Sequence, residues 1–450
     1  MYERRKFKGS KLSTIIIFSL PLILNNILTQ LYIIVDQIIA RNFAGGRVVT
    51  AIGATGFLIT LFTNIVAGVA VGAGAIVAQK IGKNDQQGIT KSIHTAMGMS
   101  VFAGIIIGTF GLIFCKPFLQ LLNTPESIID LSATYMCVYF AGYIFLAISN
   151  FAVAILMATG DTKRPLVYAS LAGIMKIVFS FIFVAIFKLG IAFIGLATVI
   201  SFVVSCSLAV IKLLRKEEVF RLYIKKIRIC FDELKEIIKM GVPIGMQTTV
   251  MSISNVLIQS SINSFGEIPM EGTTAALQMN NLVYAILTTM SQTSTIFCSK
   301  DYGAKDYKGL LKSLFLCLGL VIVMATVVCS ILLIVQEQFL MLFIARKQAL
   351  PYANQIVGVI ILPYVTCGLM EAVSGGLRAI NKSSLAMISS VTCLCGFRVL
   401  WIYTYFASHR GLDVLFYSYP ISWSLALVAN AIMFTIFFKK AKRTMEKEQQ

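Results

Sequence analysis

Twelve apolar runs, each longer than twenty residues, recur along this 450-residue chain and leave it few folds to choose from. They occupy 13–40, 51–79, 92–115, 128–158, 165–187, 191–214, 236–263, 273–299, 310–335, 351–377, 384–407 and 415–438. About 20 apolar residues of helix cross a hydrocarbon core roughly 30 Å thick, so each run is long enough to span a bilayer. Composition agrees: 57% of residues are hydrophobic and 13% charged, with mean hydropathy +0.83. Soluble domains hold about 45–50% apolar residues. The chain reads as an all-α, polytopic membrane protein of twelve transmembrane helices.

A formal net charge of +19 could point to nucleic acid, so the position of the charges decides. With the N-terminus inside, the segments on the cytoplasmic side hold 30 of the 39 Lys and Arg, and the outer loops hold seven. Those seven are Arg41, Arg47, Lys116, Lys188, Arg346, Lys347 and Arg410. Such a bias sets orientation by the positive-inside rule and accounts for the basic balance without nucleic acid. Both termini are therefore expected in the cytoplasm, with the protein in the cell (plasma or inner) membrane.

The basic start, residues 1–11, leads into a long apolar segment with no small-residue cleavage site, and reads as a retained first span. Ten cysteines show no paired metal spacing, and Cys393 with Cys395 has no histidine nearby. His94 and His409 sit at membrane ends, away from any nucleophile and base set. There is no phosphate-binding Gly-x-x-x-x-Gly-Lys-Ser/Thr loop. No enzymatic activity, resident metal or cofactor is expected.

The chain repeats itself. Pro243 answers Pro21 and Gln259 answers Gln37, both 222 residues apart. Gly82, Asp85 and Gly88 after the second run match Gly303, Asp306 and Gly309 after the eighth. LMATGDTKRP (156–165) answers LRAINKSS (377–384). Six spans per repeat is an even number, so both halves enter from the same side. The expected architecture is two pseudo-symmetric six-helix lobes in a parallel repeat around a central cavity. Residues 1–215 form the first lobe, 216–235 a charged and amphipathic cytoplasmic linker helix, and 236–450 the second lobe with a basic tail.

Several of these segments together resemble the multidrug and toxic compound extrusion (MATE) family of bacterial type. They are VDQIIA in the first span, GVAVGAGAIVAQKIGKND, LMATGDTKRP, GLMEAVSGGLRAINKSS, FRVLWIY and SYPISW. The likeness covers nearly the whole chain, in order. It implies a secondary active antiporter that exports organic, often cationic or amphipathic, drug-like compounds by alternating access in exchange for protons or sodium. A monomer is expected, with membrane lipid, the small-molecule substrate and H+ or Na+ as partners. A lipid-linked precursor flippase of the same broad superfamily is the alternative; Lys176 and Arg398 would then meet an anionic head group.

Ionisable groups inside spans are costly and mark pathways. Four fall well inside: Asp36, Lys176, Glu371 and Arg398. Lys176 and Arg398 are 222 apart, one cation at the same point of each lobe's fifth span. The acids are not equivalent, since Ile258 stands where the repeat would place a second Asp36. Opposite charges in a low-dielectric bundle are expected to pair. By resemblance Asp36 is a protonation or cation-binding site. Bacterial relatives often add an Asn and an Asp on the fifth helix, where this chain has Lys176 and Ser180. An ammonium there repels sodium, so Lys176 either replaces the ion or exchanges a proton with Asp36; a static Asp36–Lys176 ion pair is the other reading. Glu371 lies near an acidic position that some relatives use for coupling, and it equally suits bracing Arg398. Asn25, Asn26, Tyr32, Asn150, Gln278, Asn281, Tyr284 and Gln292 are candidates for the cavity wall. Gly68, Gly72 and Gly74 read as close helix packing, and Pro21, Pro243, Pro363 and Pro420 as kinks.

Overall fold

A computed structural model describes residues 10–448 apart from 123, 217 and 345; the side chains of 36, 37, 41, 46, 218 and 444–448 also lie outside it. The described residues form helices and the connections between them, with no strand. The first repeat comprises α1 (Lys11–Ile39), α2 (Gly46–Gly82), α3 (Gln86–Leu121), α4 (Glu126–Ala141), α5 (Tyr143–Ala158), α6 (Lys163–Phe181) and α7 (Ile191–Leu214). The second begins with α8 (Phe231–Asn263), α9 (Glu267–Gly303), α10 (Tyr307–Ile334) and the short α11 (Gln336–Met341). It continues through α12 (Leu350–Ile360), α13 (Tyr364–Ala379), α14 (Ser383–Ser390), α15 (Phe397–Tyr403), α16 (Tyr405–Ser408) and α17 (Leu412–Glu448).

Among the described residues, eight helical segments are long and apolar enough to cross a membrane, and two bent pairs bring the number to ten. Those pairs, α4 with α5 and α12 with α13, both bend by 49°. The bends are repeat-related: Gly142 and Pro363 are 221 residues apart, the offset that separates Gly82 from Gly303. Proline cannot donate to the helix ladder. Gly142 has no Cβ because one would sit 2.5 Å from Val199 Cγ1. The seventh and eighth expected spans are α8 and α9, 33 and 37 residues long. Their polar content, including Gln247, Asn255, Gln278, Asn280, Asn281 and Gln292, keeps them out of the apolar set.

The matched loops have a shared physical cause. Asp85 caps α3 by accepting from Gly88 N at 2.8 Å, and Asp306 caps α10 by accepting from Gly309 N at 2.7 Å. A side-chain oxygen at this position satisfies an amide the helix leaves free. A Cβ on either glycine would run into the capping carboxylate, which is why glycine follows three residues later.

The chain separates into two compact units. One holds Leu20–Gly245; the other holds the described residues before 20 together with those from Met246 onward. The division thus falls inside α1 and α8, beside Pro21 and Pro243, instead of in the linker. Packing within each unit explains it. In the first, Gly241 and Gly245 of α8 lie against Gly72 and Gly68 of α2, backbone to backbone. In the second, the start of α1 is held by Lys11, which donates to Asp301 Oδ2 and Gly309 O, both at 2.7 Å, and by Phe18 edge-on to Phe297.

The expected linker helix over 216–235 does not form. Glu218–Phe220 and Ile224–Lys226 are single 3-10 turns joined by extended chain, and helix resumes only at Phe231. Side chains of α3 take the backbone groups that a helix would have paired internally. His94 Nε2 accepts from Tyr223 N at 3.1 Å, Thr95 Oγ1 accepts from Cys230 N at 3.1 Å, and Thr90 Oγ1 donates to Val219 O at 3.3 Å.

Candidate functional site

In the second unit α9 and α13 run side by side in a seven-residue register. Tyr284 of α9 donates to Glu371 Oε1 at 3.4 Å. Two helical turns further on, Arg378 Nη1 donates to Ser291 Oγ at 2.8 Å. Both rungs join residues 87 apart. Seven residues is nearly two full turns, so each helix presents both its polar groups on one face. Glu371 is 4% exposed, and among the described residues Tyr284 is its one hydrogen-bond partner.

Arg378 is a buried charge that the sequence alone does not reveal. It follows the apolar run 351–377 and so reads as a cytoplasmic cation, yet it is 5% exposed. Its Nη2 donates to Gln247 Oε1 at 2.9 Å, and Gln247 Nε2 donates to Ser390 Oγ at 2.8 Å. This chain of bonds ties α13 to α8, α9 and α14. Among the described residues Arg378 Nε has no acceptor, and buried Ser374 Oγ one turn before it has no partner. The available signal was the spacing from Glu371, which placed both on one helical face.

Arg398 is buried as expected, but it does not pair with Glu371. Its guanidinium carbon lies 3.9 Å from the centre of the Tyr419 ring, and Nε donates to Ser422 Oγ at 3.1 Å. A planar guanidinium over an aromatic face is stabilised by the ring quadrupole, most of all when desolvated. Hence α17 carries this cation, and Glu371 faces α9 instead.

Of the cavity-wall candidates in this unit, Tyr284, Gln278 and Gln292 are half-buried and Asn281 is exposed. Asn280 links to Asn281 and accepts the Tyr364 hydroxyl. In the other unit the Tyr32 ring lies on Gly173, and its hydroxyl donates to Ser170 O at 3.4 Å, joining α1 to α6. Half-buried Asn25 and Asn150 each keep an unpartnered amide atom, Oδ1 and Nδ2 respectively, and Asn26 is half-buried with them. Lys176 is half-buried on α6, within electrostatic reach of Tyr139, whose hydroxyl meets Thr63 Oγ1 at 3.4 Å. Ser180 is buried one turn on. The side chain of Asp36, and with it the Asp36–Lys176 relation, lies outside the described residues. Among the described residues no group of three His, Cys, Asp or Glu side chains could hold a metal ion.

A twofold-repeated helical membrane bundle with a few buried ionisable groups is an architecture of membrane transporters. Comparison with known proteins gives the family. The MatE profile matches residues 21–182 and 243–404, most of both repeats, so the chain belongs to the MatE family of multidrug efflux transporters and is not an enzyme. It is 22% identical over 454 residues to probable multidrug resistance protein YoeA of Bacillus subtilis (strain 168), covering 99% of this chain and 98% of that one. It is 26% identical to YpnP of the same organism over 276 residues, 61% of this chain and 62% of that protein. A flavin adenine dinucleotide (FAD) transporter of Shewanella oneidensis is 22% identical over 74% of this chain and 75% of its own. Among solved structures, a MATE protein in complex with MaL6 superposes with TM-score 0.89 at 19% identity, covering 97% of this chain and 98% of that one. A MOP-superfamily transporter from Pyrococcus furiosus, described for the reverse polarity of its binding pocket, gives TM-score 0.85 at 18% identity, covering 98% and 97%.

Proposed function

We propose that this protein is a proton-coupled antiporter that exports organic, cationic or amphipathic compounds, and that Glu371 is the group that takes up and releases the proton. The observation that carries this reading is a carboxyl group buried on α13 with one phenol as its hydrogen-bond partner. A hard cation requires a shell of several oxygen ligands, whereas one carboxyl beside one hydroxyl suits a proton. A substrate cation and a proton then compete for the same buried charge, which is the exchange an antiporter needs. The arrangement works as a monomer, with both termini on the cytoplasmic side. By the family resemblance, Asp36 and Lys176, the acid and the base of the first repeat, are proposed as a second proton-exchanging pair.

The test is dye efflux from proteoliposomes under separately imposed proton and sodium gradients. A proton gradient alone should drive wild-type efflux, and Glu371→Gln should reduce it at least tenfold while the protein stays folded and inserted. Sodium-driven efflux that survives Glu371→Gln would refute the proposal.

One observation favours a second reading. The second unit buries two guanidiniums, Arg378 and Arg398, against the single carboxylate Glu371. A net positive interior suits an anionic cargo such as a lipid-linked pyrophosphate, the flippase alternative. Transport of that lipid, with no transport of a cationic dye, would select it.

A further inference from the structure

Outside the helix bundle core, the linker and α3 enclose a pocket of about 440 Å³ lined by Thr90, Lys91, His94, Lys225, Lys226, Ile227, Arg228 and Cys230. Four of these side chains are cations, none is an acid, and all four cations are exposed. Among the described residues none of the four makes an ion pair. Asp232 and Glu233, the acids nearest in sequence, do not line the pocket.

The floor is built, not incidental. His94 is 3% exposed, with Nδ1 donating to Thr90 O at 2.7 Å and Nε2 accepting from Tyr223 N. These two bonds define a neutral tautomer that pins the linker to α3. Tyr223 stacks parallel to the imidazole and lies under Lys226 Nζ at 4.8 Å and Arg221 Cζ at 5.3 Å. Gly98 leaves room for Ile227 and Ile229 to pack on α3. The linker is thereby held in extended form with its cations turned to one pocket.

We infer that this pocket binds the phosphate head group of an anionic phospholipid. The bare cations supply the charge, and the apolar neighbours choose between a lipid and a soluble phosphate. Ile224 is 63% exposed and Phe231 82% exposed, on either side of Lys225, Lys226 and Arg228. Large apolar side chains flanking a basic cluster are the composition of a segment lying in the head-group layer, its rings and branched chains among acyl carbons. By the positive-inside bias this layer belongs to the cytoplasmic leaflet, where anionic lipids attract polybasic segments. A bound head group would fasten the linker, which runs from α7 into α8 and so joins the two repeats.

Native mass spectrometry of the full chain in detergent tests this, with phosphatidylglycerol or phosphatidylcholine added. Wild type should retain one tightly held phosphatidylglycerol. The triple variant Lys225→Gln, Lys226→Gln, Arg228→Gln should lose it by on the order of 100-fold in affinity, given about 1 kcal/mol, or about fivefold, per cation. A charge-matched control, Lys308→Gln, Lys312→Gln, Lys439→Gln, should retain it. All six side chains are exposed, so both variants should fold. Equal retention by the triple variant, equal loss by the control, or equal binding of phosphatidylcholine would overturn the inference. Displacement of the lipid by micromolar glycerol phosphate or pyrophosphate would assign the pocket to a soluble anion and overturn it as well.

Discussion

Replacing Gly72 with alanine tests the close approach of α2 and α8 in the first unit. A Cβ on Gly72 would sit 2.5 Å from Gly241 Cα and 2.6 Å from Gly241 N, and one on Gly245 would sit 2.8 Å from Ile65 Cα. The atoms in the way are backbone, so no rotamer change relieves the clash. Carbon contacts are comfortable at about 3.5–4.0 Å, and α2 and α8 must therefore part by roughly 1 Å. Overpacking of this kind costs about 1–3 kcal/mol. Alanine recovers about 0.5–1 kcal/mol of helix propensity. Gly56, on the same helix, has nothing within 4 Å of its would-be Cβ. Gly56→Ala should therefore be neutral or stabilising by that propensity term alone. Gly72→Ala should then lie about 1–3 kcal/mol below Gly56→Ala. With an unfolding entropy of about 2.1 cal/mol/K per residue, 450 residues give about 1 kcal/mol per degree. The melting temperature in detergent, followed by the exposure of buried cysteine thiols, should differ by about 1–3 °C between the two variants. Equal melting temperatures would refute the claim that these glycines set the α2–α8 approach.

Three further outcomes follow from the geometry. Lys11→Ala and Asp301→Ala should each destabilise the protein, with a coupling of about 1–2 kcal/mol in a double-mutant cycle, because the pair is partly buried at 25% and 17% side-chain exposure and Ser313 also donates to Asp301. Additive effects would show that Lys11 is not held there. Cys115 and Cys137 place their sulfurs 3.1 Å apart on α3 and α4. Mild oxidation should join them, since the bond needs a closure of only about 1 Å, leaving eight of the ten cysteines alkylatable after unfolding. Ten alkylated residues would contradict that packing. Arg378→Met should leave Gln247 Oε1 and Ser291 Oγ without their donor and cost about 2–4 kcal/mol in detergent unfolding, whereas a cost within 0.5 kcal/mol would mean the network is not formed.

What could be read from the chain was what short range decides. Run length located the helices, and the Asp85–Gly88 and Asp306–Gly309 caps were visible as matched residues because a cap acts over three positions. Gly68 and Gly72 were legible as packing residues, although their partners, Gly241 and Gly245, were not. The errors fall where a distant element supplies the missing bond. Residues 216–235 have the charge pattern of an amphipathic helix, but α3 captures their backbone through His94 and Thr95, 129 and 135 residues away. Arg378 ends an apolar run and so looked like a flanking charge. Its burial depends on Gln247, 131 residues away, and on Ser291. Arg398 was expected to find an acid and found an aromatic ring, because the tyrosine one helix over desolvates it without a carboxylate.

The repeat separates features present in both halves from features present in one. Backbone devices are duplicated: the two capping aspartates, and the two 49° bends, at Gly142 and at Pro363. The ionisable side chains Lys80 and Glu371 are not. Lys80 and Asp301 occupy equivalent places, 221 residues apart, with opposite sign. Each nonetheless holds the start of a first-span helix, Lys80 through Glu236 of α8 at 3.3 Å and Asp301 through Lys11 of α1 at 2.7 Å. Either polarity makes an ion pair, so the fold needs the bond and is indifferent to its direction. No such exchange holds for Glu371, whose repeat position in α5 is Asn150, a neutral amide with an unpartnered nitrogen. A group that could be supplied in either half, but is supplied in one, is doing something the scaffold does not ask for. That asymmetry supports the proposal that Glu371 exchanges the proton in the second repeat, and predicts that Glu371→Gln should not be rescued by placing a glutamate at Asn150.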